Sequence, residues 1–141
     1  IQYQGNMNQG GIENSQWQTS SANKVLVLGS LPTMSSIEYI VRVGDFCQVG
    51  RYTYIATSDV LRGGLTTVNI PVHRNLLTTL TSPLNAVIGQ YGTTVSMGGS
   101  TYTGITFPVI LREYPTYTLV PMTNDSFISW NGSFSAFEAV L

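Results

Sequence analysis

One imidazole, seven carboxyl groups and one thiol are the main groups with which this chain could do acid–base or nucleophilic chemistry. Such catalysis needs titratable groups that converge on one reacting atom. His73, in Pro71-Val72-His73-Arg74, is the only histidine and would serve alone. Its orienting carboxylate would have to come from Asp45, Asp59 or Asp125, and the pattern places each of these on a turn. No Gly-x-Ser-x-Gly nucleophile elbow is present to pair with it. A glycosidase needs two carboxyl groups roughly 5–9.5 Å apart across a cleft. Glu38, Glu113 and Glu138 are instead isolated among apolar and aromatic residues, and Glu113, between Arg112 and Tyr114, reads as half of a strand-edge ion pair. Cys47 has no cysteine partner and no metal-ligand spacing around it, so it reads as a small buried hydrophobe. Asp45 and Asp59 lack calcium-loop spacing and read as Asx turns. Gly92, Gly98, Gly99 and Gly104 are followed by neither a lysine nor a helix, and read as turn glycines rather than a phosphate cradle. The residues predict no enzyme, no catalytic side chain, no metal and no cofactor.

Recognition is the other chemistry on offer. Tyr39, Tyr52, Tyr54, Tyr91, Tyr102, Tyr114 and Tyr117, with Trp17 and Trp130, could stack on sugar rings. Aromatic side chains on a sheet also anchor protein interfaces. No cluster of Asp, Asn and Trp aims them at carbohydrate, so core or interface is the expectation. The candidate contact residues are Trp17, Tyr91, Tyr102 and Tyr114, with His73 and Arg74.

The elements that must position these residues read as strands and turns. Residues 1–23 are polar, rich in Gln and Asn, and predict an arm, a linker or an edge strand carrying Trp17; residues 24–141 read as a single β domain. Val25 to Leu28 is the first clear strand, stopped by Gly29 and Pro32. Residues 37–43 read as a strand or brief turn. Phe46 to Val49 and Tyr52 to Thr57 form a hairpin about Gly50-Arg51, its second arm alternating rings and hydroxyls in period two. Thr66 to Ile70 is the next strand, and Pro71, with no N–H to donate, ends its ladder. The hairpin and this strand are expected to share the core sheet. Leu76 to Leu84 reads as irregular. Strands follow at 86–90, 93–97, 104–111, 117–120 and 127–141, with Asn131-Gly132 splitting the last into two. So many short strands at close turn intervals, without a convincing helix, predict an all-β antiparallel sandwich or barrel.

Composition says what surrounds that fold. Six basic and seven acidic side chains make the chain 9% charged, against about 25% in an ordinary soluble domain. Mean hydropathy is positive, at +0.13. Such a chain cannot present a conventional solvated surface, and much of its exterior must face protein. A net charge of −1 with scattered cations argues against nucleic-acid readout. No apolar run reaches the ~20 residues of a membrane helix, and the first residues lack the charged and apolar regions of a secretory signal. The chain opens on Ile1 without an initiator Met, as a processed chain or a piece of a longer one would.

Three blocks carry a resemblance. They are Val43-Gly44-Asp45-Phe46-Cys47-Gln48-Val49-Gly50 with Tyr52-Thr53-Tyr54 and Ser58-Asp59-Val60; Thr67-Val68-Asn69-Ile70-Pro71-Val72-His73-Arg74; and a closing Ser133-Phe134-Ser135-Ala136-Phe137-Glu138-Ala139-Val140-Leu141. This order resembles a β module in tail proteins of tailed bacteriophages, of the distal-tail and baseplate type, over roughly residues 25–75 and the last dozen. The resemblance implies a structural protein of the virion tail, at the tip, in the baseplate or as an adaptor. Its partners would be copies of itself and other tail proteins. The alternative is a carbohydrate- or receptor-binding domain of a tail fibre.

Overall fold

The computed structural model of the chain describes residues 1–19, 24–32, 37–92, 95–97, 99–102, 104–112, 116–122, 125–131 and 135–139. In order these form α1 (Gln9–Asn14), β1 (Gln16–Trp17), β2 (Val25–Gly29), β3 (Tyr39–Val41), β4 (Phe46–Val49), β5 (Tyr52–Ile55), β6 (Val60–Leu61), β7 (Val68–Pro71) and β8 (Leu84–Asn85). There follow β9 (Val87–Ile88), β10 (Tyr91–Gly92), β11 (Val95–Met97), β12 (Ser100–Tyr102), β13 (Val109–Leu111), β14 (Thr116–Met122), β15 (Asp125–Asn131) and β16 (Ala136–Glu138). The fold is mostly β, with several antiparallel sheets and one short helix; among the described residues no barrel closes. The chain divides into two compact units, Ile1–Phe107 and Pro108–Leu141.

The first unit holds two four-stranded sheets, ordered β7-β2-β1-β8 and β10-β9-β4-β5, with β3–β6 and β11–β12 as separate ribbons. Both four-stranded sheets feed one buried cluster, which takes Trp17, Leu26, Leu28, Val68 and Ile70 from one and Cys47, Val49, Tyr52, Tyr54 and Ile88 from the other. In β2 the alternation does this directly: Leu26 and Leu28 face in, while Val25 and Val27 are half-buried. The β4–β5 hairpin forms as the sequence predicts, with Val49 opposite Tyr52. Gly50 takes the first turn position at φ 58° with open space around it, so backbone conformation rather than room selects glycine there. The predicted common sheet is corrected, because the hairpin and β7 lie in different sheets, with an isolated Ala56–Val72 bridge between their continuations.

Residues 1–19 depart furthest from the polar-arm expectation. Tyr3, Met7, Ile12 and Trp17 are all in the buried core. The Tyr3 hydroxyl donates to the Ile40 carbonyl at 2.6 Å and accepts from the Met7 N–H. Asn6 exchanges two bonds with Tyr39, its N–H to the carbonyl and its side-chain Oδ1 from the amide. The Asn8 side chain caps α1 by accepting from Gly11 N–H at 2.6 Å, and Ser15 closes it on the Ile12 carbonyl. A six-residue helix containing two glycines is held by such packing, not by propensity. Gly89 makes the crossing possible: at φ 59°, a Cβ there would lie 2.8 Å from the Tyr3 backbone nitrogen.

In the second unit β14 pairs with β15 and β13 with β16. The split of the closing run is present, but its halves do not pair with each other. The outer ribbon β13–β16 aligns Ile110 with Phe137 and is extended by Ala139 N–H to the Pro108 carbonyl at 2.7 Å.

Candidate functional site

His73 and Arg74 act on the backbone of β5. Chain 71–74 leaves the β7 sheet and runs along the open edge of β5: Thr57 N–H donates to the Pro71 carbonyl, and His73 N–H to the Ile55 carbonyl. The His73 ring then accepts from Ile55 N–H on Nδ1 at 3.0 Å, which places the neutral ring's proton on Nε2. Arg74 donates from Nη2 to the Thr53 carbonyl at 2.7 Å and lies over the Tyr54 ring at 5.2 Å. The Tyr54 hydroxyl accepts from Leu77 N–H. Both side chains thus cover an edge that would otherwise offer unpaired amides to another chain.

Trp17, expected as a surface contact, is corrected to a core residue: it is 0% exposed, and Nε1 donates to the Gln48 carbonyl at 2.7 Å. The reason is strand order, since β1 lies between β2 and β8 rather than at an edge. Tyr91 is half-buried, edge-on to Tyr3 with ring centroids 6.0 Å apart. Tyr102 lies in β12, opposite Val95. Tyr114 lies outside the described residues.

The second face of the β4–β5 hairpin is polar and covered. Gln48 Oε1 accepts from Thr106 N–H at 2.8 Å while Nε2 donates to Thr106 Oγ1 at 2.6 Å. Thr53 Oγ1 donates to the Thr106 carbonyl at 3.0 Å, and Phe107 packs edge-on against Phe46. The Gln48 amide thereby pairs with Thr106 much as a strand would, so the hairpin is buried on both faces. Its period-two pattern indicated only one buried face.

Asp45 and Asp59 accept from backbone amides, as Asx-type turns require. Asp45, 1% exposed, accepts from the N–H groups of Gln4, Gly5 and Arg42. Asp59 accepts from Val43 N–H and from Arg42 Nη1. Burial, with Asp45 nearby, pushes the Cys47 thiol far up. Burial likewise raises the Tyr3 phenol, against the lowering effect of its Met7 bond. Both groups are neutral and inert as nucleophiles near neutral pH. Among the described residues no three His, Cys, Asp or Glu side chains gather where they could hold a metal ion, and no helix is long and apolar enough to cross a membrane. A depression of about 170 Å³ is lined by Ile1, Gly89, Gln90, Gly104 and Ile105. That is below the usual ~300–1,000 Å³ of a small-molecule site.

Sequence reasoning missed exposed apolar side chains on one thin ribbon, β13–β16, and on and beside another, β3–β6. In β3–β6, Ile40 and Val41 are buried and Leu61 is 51% exposed; of the flanking residues, Glu38 and Arg62 are largely buried and Ile37 is 74% exposed. Val43 and Leu65 are exposed at the two ends of that ribbon. Beneath it, the Arg62 guanidinium donates from Nε to the Leu65 carbonyl, and Nη1 stands 3.9 Å from Glu38 Oε2. In β13–β16, Val109, Ile110 and Phe137 are each about half exposed or more. The cue was present in Val109 to Leu111, where apolar residues occupy both parities, which a one-sided sheet cannot hide. Comparison with models of protein families, with curated proteins and with solved structures found no match.

Proposed function

We propose that this chain is a structural component of a bacteriophage tail, at the tail tip, in the baseplate or as an adaptor, assembling through β-rich subunit interfaces. The observation that carries the reading is the pairing of a 9% charged composition with exposed apolar side chains, Val109, Ile110 and Phe137 on β13–β16 and Ile37 and Leu61 by β3–β6. Obligate interfaces are more apolar than ordinary surface and depleted of charge at their cores. The resemblance of the Val43–Gly50 and Thr67–Arg74 blocks to tail modules supplies the setting. The aromatic residues favour this reading over sugar binding: Tyr3, Tyr52, Tyr54 and Trp17 are committed to the core, and Tyr39 is covered by the Arg42 guanidinium at 3.5 Å.

The test is immuno-electron microscopy with an antibody against the purified chain on phage particles from the source culture. Labelling of the tail end is expected. Phage particles that carry no label, with no peptide of the chain in their digests, would remove the tail assignment.

A further inference from the structure

We draw no further inference here: the strongest candidate, the surface patch of Val109, Ile110 and Phe137 on the β13–β16 ribbon, is an exposed apolar face, and nothing in the structure shows what covers it.

Discussion

At the scale of single residues, the buried polar groups set the strongest expectations. Asp45, just before the β4–β5 hairpin, accepts from two backbone amides of the first residues, Gln4 and Gly5, and from the local Arg42 N–H. These donors are only partly buried, so losing their acceptor costs less than the roughly 1–3 kcal/mol of a buried group each, and Asp45→Ala is expected to lose about 1–3 kcal/mol in all in urea denaturation. The Glu38–Arg62 and Arg42–Asp59 pairs predict opposite outcomes. Removing one partner of a buried pair costs about 3–5 kcal/mol, so Glu38→Ala should be severe because Arg62 is 1% exposed. Arg42→Ala, at a pair about 40% exposed, should cost under about 1 kcal/mol. Alkaline pH gives a third expectation. Cys47 and Tyr3 have ordinary values of 9.0 and 10.0, and both are raised in the folded chain. The unfolded chain therefore releases these protons first, and stability falls as pH rises through those values, by up to about 1.4 kcal/mol per pH unit for each group. Denaturation at pH 8 and pH 10.5 should show the loss, and Cys47→Ala should reduce it; equal stability at the two pH values would contradict it.

At the scale of elements, two segments are tied down where the sequence suggested freedom or a surface role. The first is the N-terminal stretch, which lends Tyr3, Met7 and Ile12 to the core. Deleting residues 1–12 is expected to abolish cooperative unfolding, whereas a dispensable arm would leave the transition unchanged. The second is the corner 71–74. His73→Ala removes the acceptor for Ile55 N–H at an exposed site, and about 0.5–1 kcal/mol of stability should go with it. His73→Asn, which offers an oxygen in its place, should recover part.

The strands that β-branched runs and turn residues define, β2, β4, β5 and β7, were legible because both signals are local. Trp17 was not, because its burial depends on β8, nearly seventy residues away, pairing with β1. Gln48 and Thr106 were likewise opaque: each reads as an ordinary polar strand residue until the fold brings them within hydrogen-bond distance. The ribbon faces were half legible. Low charge announced a need for cover, but only strand register shows that Ile110 and Phe137 share one side.

At the scale of the whole molecule, the account depends on burial between chains. A polypeptide with so few ionic groups and with Ile37, Leu61, Val109, Ile110 and Phe137 facing outward resembles one partner of an obligate interface more than a solitary domain. Association driven by apolar faces should be little weakened by salt, unlike association held by surface ion pairs. Raising ionic strength from 0.05 to about 0.5 M is therefore expected to leave the assembly intact, a point that light scattering can check. The most direct measurement is sedimentation equilibrium of the purified chain across a hundredfold range of concentration. A mass that rises to a multiple of 15.3 kDa is expected. A folded species that stays at 15.3 kDa at the highest concentration would contradict it.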